Sequence, residues 1–116
     1  MQERETSVEQ YLRRQVEARG GRCVKFDPES YRGWPDRIVL LPHGQLVWVE
    51  TKRPEGGRVS SAQFVAHEDL RRLGQTVIVA DSRDDVDELL ELMIGVRGYV
   101  PMQVEQMPRK RKKAQA

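Results

Sequence analysis

Asp36-Arg37-Ile38-Val39-Leu40-Leu41-Pro42-His43-Gly44-Gln45-Leu46-Val47-Trp48-Val49-Glu50-Thr51-Lys52 reads as a β-hairpin with charged groups at its open end. Ile38 to Leu41 is one apolar run, Pro42-His43-Gly44-Gln45 is a turn of hairpin type, and Leu46 to Val49 is the return strand, continued by Glu50-Thr51-Lys52. Pairing the runs as antiparallel neighbours sets Asp36, at the start of one, across from Glu50 to Lys52, at the end of the other. Glu50 and Lys52 are two apart and so share a face of their strand. Three ionisable side chains then converge at one end of a small sheet.

Working outward, Thr6 or Ser7 caps a first helix, since both Thr6-Ser7-Val8-Glu9 and Ser7-Val8-Glu9-Gln10 fit the capping-box pattern. Val8, Leu12 and Val16 give it one apolar stripe, and Gly20-Gly21 ends it. At about 100° per residue, Glu9 falls about 60° from the centre of that stripe, at the border of the buried face. Arg22 to Phe26 is a short strand, and Asp27 to Gly33 a polar loop. Pro35 restricts Trp34 to extended backbone just before Asp36. After Lys52, Pro54 to Gly57 breaks the strand. Ser60 or Ser61 caps a helix over Ala62 to Leu73, with Gly74 as its stop. Thr76 to Ala80 is a β-branched strand. Asp84 or Asp85 starts a third helix with Val86, Leu89, Leu90, Met93 and Ile94 on its apolar face and Gly95 at its end. The order is α-β-β-β-α-β-α. The helix between the third and fourth strands lets those two lie parallel. The expected fold is an α/β mixed sheet flanked by helices.

The chemistry of the sheet end follows from its atoms. Asp36, Glu50 and the backbone carbonyl of Thr51 make a hard, all-oxygen pocket suited to Mg²⁺ or Mn²⁺. Such an ion polarises a phosphate, helps ionise an attacking water and stabilises a departing oxygen. Lys52 holds and orients the water or offsets charge on the transition state. Without a cation, two buried acids side by side resist joint ionisation. Acids at strand ends are usually just solvated, and Glu-x-Lys alone is common. The informative feature is the ordered pattern of acid after proline, strand, glycine turn, strand and Glu-x-Lys.

In that order, Pro35-Asp36 followed by Glu50-Thr51-Lys52 resembles the PD-(D/E)XK nuclease superfamily. Gly33-Trp34-Pro35-Asp36-Arg37, Gly44, Val49-Glu50-Thr51-Lys52 and Ser60-Ser61-Ala62-Gln63 resemble the VRR-NUC (virus-type replication-repair nuclease) domain, over about Thr6 to Ala80. The resemblance implies a restriction-endonuclease-like αβββαβ core. It also implies a metal-dependent endonuclease that cuts DNA phosphodiester bonds, similar to Holliday-junction resolvases, working as a homodimer. By that likeness Asp36 and Glu50 bind metal, Lys52 is the catalytic lysine, and the Thr51 carbonyl touches the metal. Gln63 stands at the start of the helix beside the site, and Glu9 is the first-helix glutamate that completes the acidic cluster. Glu5, one turn earlier, is the alternative to Glu9, and Glu9 also suits a purely capping role. A cytoplasmic protein of bacterial or bacteriophage origin, active in DNA repair, is implied.

Other residues keep two readings. Gln63 suits a solvated first turn as well as the site. Arg37 contacts phosphate or pairs with an acid. His67, one turn after Gln63, faces the site or, as a surface histidine, does not; His43 at the turn tip is inert. Trp34 and Tyr31 stack on bases or on a partner, or Trp34 anchors its loop. Cys23 is a small core hydrophobe.

The 116 residues suit one domain, with 1–98 as the nuclease unit, 99–107 as an extension serving as edge strand or dimer contact, and 108–116 as a disordered basic tail. No apolar run approaches the ~20 residues of a membrane span. The charged N-terminus lacks an apolar signal region, and one cysteine allows no internal disulfide, which fits a reducing compartment. Zinc is not expected, since no His/Cys cluster is present. The net charge of +2 conceals an asymmetry: without Arg109, Lys110, Arg111, Lys112 and Lys113 the chain has 15 basic against 18 acidic residues, a net of −3. The basic run is a polyanion contact or a solubility tail. With no recognition-helix or zinc-finger signature, cutting that depends on DNA structure (branched or flexible DNA) is expected over cutting that depends on sequence. The competing function is a non-catalytic DNA-binding accessory protein that keeps the nuclease fold, whose mark would be loss of an acid or the lysine.

Overall fold

The computed structural model describes residues 5–27, 29–54 and 57–94. The expected extension (99–107) and basic tail (108–116) lie outside them. Three helices, α1 (Ser7–Ala18), α2 (Ser61–Arg72) and α3 (Arg83–Ile94), surround four strands, β1 (Arg22–Lys25), β2 (Arg37–Leu41), β3 (Gln45–Thr51) and β4 (Val77–Ala80). The strands form one sheet in the order β1-β2-β3-β4. β1 and β2, and β2 and β3, are antiparallel, whereas β3 and β4 are parallel. The expected mixed sheet and element order are both present, with element ends differing by one or two residues.

Each helix starts where its sequence satisfies the free amides of the first turn. Thr6 caps α1: its hydroxyl accepts from the Glu9 amide at 3.1 Å, and the Glu9 carboxylate accepts from the Thr6 amide at 2.8 Å. Ser60 caps α2 in the same reciprocal way with Gln63. α1 and α3 cover one face of the sheet. Val8, Leu12 and Val16 of α1 and Val86, Leu89 and Leu90 of α3 meet Val39, Leu41, Val47, Val49 and Ala80, all buried. Each such side chain contributes about 1.5–3 kcal/mol on leaving water. The Tyr11 hydroxyl donates to Asp87 at 2.6 Å, joining α1 to α3 above this core. Cys23 packs against the same cluster, and burial pushes its thiol up to about 11. It is a packing residue, as expected.

α2 covers the other face through Ala66, His67 and Leu70, next to the buried Val77 of β4. Beside it, four aromatic rings gather on the strand ends. Trp34 lies 5.3 Å from Trp48, 5.9 Å from Phe26 and 4.7 Å from Tyr31, centroid to centroid. Phe26 leaves β1 to join them, although its amide still donates to the Asp36 carbonyl at 2.8 Å. Trp34 therefore anchors its loop.

That loop presses on the start of α2. Gly33 has φ +83°, and a Cβ there would sit 2.4 Å from the Ala62 carbonyl oxygen. Only glycine satisfies both constraints. Gly44, in the hairpin turn, has φ +74° but open space around it. Gly44→Ala is expected to cost about 1 kcal/mol and Gly33→Ala at least about 2 kcal/mol. Urea denaturation of the two variants measures the difference, and equal losses would contradict the close approach.

Candidate active site

The register between β2 and β3 ends with Arg37 opposite Val49. One step further, Asp36 and Glu50 face each other across the two strand ends. Asp36 is bound to Thr51 twice, accepting from its amide at 2.9 Å and from its hydroxyl at 2.7 Å. The sequence points to the Thr51 carbonyl, whereas the groups that fix the Asp36 carboxylate are the Thr51 amide and hydroxyl, which strand alternation does not reveal. Burial pushes the Asp36 carboxyl above its ordinary value against the pull of these Thr51 bonds, and the charge of Glu9 adds to the rise.

Glu50 is 5% exposed. Its Oε2 accepts from the Gln63 side-chain amide at 2.9 Å and lies 3.3 Å from the Lys52 ammonium. Its Oε1 is buried and has no hydrogen-bond partner. Burial, followed by the charge of Asp36, pushes its carboxyl up to about 7, opposed by Lys52 and Gln63. Gln63 Oε1 accepts from the Lys52 ammonium at 2.7 Å and from the Ser60 amide at 3.0 Å. The amide of Gln63 thus closes the cap of α2 and links the lysine to the glutamate. Ser60 belongs to this network through the cap, and its Ser-x-x-Gln spacing is visible in the sequence.

The remaining candidates are arranged differently. A cavity of about 270 Å³ is lined by Glu5, Glu9, Lys25, Phe26, Asp27, Asp36 and Arg37. Arg37 is 6% exposed, and its Nη2 lies 3.3 Å from Glu5 and 3.4 Å from Glu9. Of its two readings, acid pairing is the one seen; a guanidinium buried between two carboxylates does not present itself to phosphate. Glu9 spends one oxygen on the Thr6 amide and the other on Arg37. Burial pushes its carboxyl up, but Thr6 and Arg37 outweigh this and leave it below the ordinary value. Among the described residues, no three His, Cys, Asp or Glu side chains converge as a ready-made metal cage.

His67 is 2% exposed, so of its two readings the surface histidine is not the one seen, because it continues the buried stripe of α2. Its Nε2 has no partner, and burial, with the charges of Arg71 and Lys52, holds it below its ordinary pKa. The larger groove, about 800 Å³, lies between β4 and α3 and contains none of the candidate site residues. The basic run Arg109 to Lys113 lies outside the described residues.

A mixed sheet between helices, with Asp, Glu and Lys gathered at one end of its two central strands, defines an α/β fold of the nuclease type. The chain is similar to a solved structure described as "VRR_NUC domain", with a TM-score of 0.70 and 37% identity over 75% of this chain and 94% of that one. It is also 43% identical over 81 residues to "Putative nuclease p44" of Acyrthosiphon pisum secondary endosymbiont phage 1, covering 70% of this chain and 86% of that protein. No family model matches the chain. On these two likenesses the chain belongs to the VRR-NUC family.

The raised pKa of Glu50 has a signed consequence. The folded state holds the Glu50 proton more tightly than the unfolded chain does, so stability declines as pH rises from the ordinary carboxylate value toward about 7 and stays low above it. Without divalent ions, Glu50→Gln is expected to melt a few degrees above the parent at about pH 8, with the gap closing toward about pH 4.5. Melting curves in EDTA across this range check it; a gap independent of pH would contradict the shift.

Proposed function

We propose that this chain is a divalent-metal-dependent DNA endonuclease, acting on branched or flexible DNA as a homodimer. The observation that carries this reading is Glu50. It is buried opposite Asp36, keeps one oxygen unpartnered, and is tied through Gln63 to a lysine. A buried carboxylate with an open oxygen beside a second acid fits a hard cation better than it fits a structural role. Asp36, Glu50 and the Thr51 carbonyl are the residues that would hold Mg²⁺ or Mn²⁺. When bound, such an ion supplies Lewis-acid polarisation of phosphate and a more acidic water.

The chain's own groups do the rest. Thr51 fixes the Asp36 carboxylate with two donors, so that its remaining lone pairs have a set direction. Gln63 holds the Lys52 ammonium 2.7 Å from its own oxygen, at the edge of the acid pair. From there Lys52 orients the attacking water or offsets charge growing on the phosphate. The half-exposed Tyr31, at the outer end of the aromatic cluster, offers a ring for stacking on an unpaired base. Arg109 to Lys113 would add sequence-independent grip on the phosphate backbone. Cutting two strands symmetrically calls for two copies of the site, hence the homodimer.

The test is incubation of the full chain with plasmid and with synthetic four-way junctions, in Mg²⁺, Mn²⁺ or EDTA. Cleavage is expected with either metal, to favour junctions, and to stop in EDTA. Asp36→Asn and Lys52→Ala are each expected to lose at least about 10²-fold in rate. DNA binding with no cleavage under any divalent ion, or equal cleavage by the Asp36→Ala, Lys52→Ala double variant, would overturn the reading in favour of an accessory DNA-binding role.

A further inference from the structure

The cavity on the α1 side of Asp36 is lined by four acids and by two bases, Lys25 and Arg37. Glu5, Glu9, Asp27 and Asp36 line it together. Carboxylates gathered this way need positive charge, either from a bound ion or from the chain. Here the chain supplies it. Arg37 rises from β2 into the space between Glu5 and Glu9 and is almost wholly buried there, with its Nη2 shared between the two carboxylates. Arg13 closes the other side of Glu5 at 3.1 Å. Glu9 has its second oxygen on the Thr6 amide. Neither oxygen of Glu9 is open, whereas Oε1 of Glu50 is.

A guanidinium keeps its charge at any working pH and donates in a fixed fork. It cannot coordinate a metal. Drawing it out of a buried pair would leave uncompensated carboxylates behind. We infer that Arg37 is a built-in cation standing where a second divalent ion would otherwise sit, so that each protomer binds one divalent ion, at Asp36, Glu50 and the Thr51 carbonyl. This rests on the metal-binding reading proposed above. Arg37 is then a positioning residue. It holds the acids of α1 away from the ion, pins α1 to the sheet, and limits the negative charge that an approaching phosphate meets.

The test counts Mn²⁺ bound to the full chain, by calorimetry and by the electron paramagnetic resonance signal of free Mn²⁺. The parent is expected to bind one ion per protomer. Glu9→Gln is expected to keep that ion with less than about threefold change in affinity. Asp36→Asn and Glu50→Gln are each expected to weaken it at least about tenfold. Arg37→Gln, where it folds, is expected to take up a second, weaker ion beside Glu5 and Glu9. Two ions on the parent, a tenfold loss in Glu9→Gln, or a folded Arg37→Gln that still binds one would overturn the role of Arg37. No ion on the parent would instead overturn the metal-binding reading beneath it. If Arg37→Gln does not fold, Glu9→Gln and the parent count decide.

Discussion

Two carboxylates set against each other at the ends of adjacent strands, one buried and one partly so, cannot both be charged cheaply. That constraint accounts for most of what surrounds Asp36 and Glu50. Thr51 gives Asp36 two donors, Lys52 and Gln63 give Glu50 two more, and Arg37 offsets part of the charge of the acids of α1. Even so, Glu50 is left with an open oxygen and a carboxyl that resists ionisation. A carboxylate held in this way opposes its own ionisation, which is a mark of functional sites more often than of packing.

The same residues build the fold and the site. Gln63 completes the cap that starts α2 and, with the same amide, positions Lys52 and Glu50. Glu9 completes the cap of α1 and, with its other oxygen, receives Arg37. In both cases a side chain that completes a helix cap also makes a contact at the candidate site. Arg37 in turn joins α1 to β2, so the electrostatics of the site depend on how the helix layer sits on the sheet.

How much of this was legible from the chain alone varies with the distance over which it is decided. The hairpin from Asp36 to Lys52, the caps at Thr6 and Ser60 and the β-branched run of β4 are local, and their patterns survive in the fold. The pairing of Glu50 with Lys52 follows from strand alternation. The surroundings of Arg37 depend on α1 crossing over β2, a contact between residues 28 or more apart, and no spacing rule reaches that far. A surface place suits histidine by type, but His67 falls on the buried stripe Ala66, His67, Leu70 of α2. The Thr51 donors are not legible in the chain, because alternation reports which face a side chain takes, not which backbone groups remain free at a strand end.

Gly33 lies against the Ala62 carbonyl with no room for even one more carbon. The loop that ends at Asp36 and the helix that begins beside Gln63 are in direct mechanical contact at that point, backbone on backbone. Tyr31 and Trp34 of that loop pack ring on ring, and Gln63 of that helix receives the Lys52 ammonium, so the contact lies between the aromatic cluster and the acid–lysine network. A single backbone contact thus joins the loop half of the candidate site to its helix half.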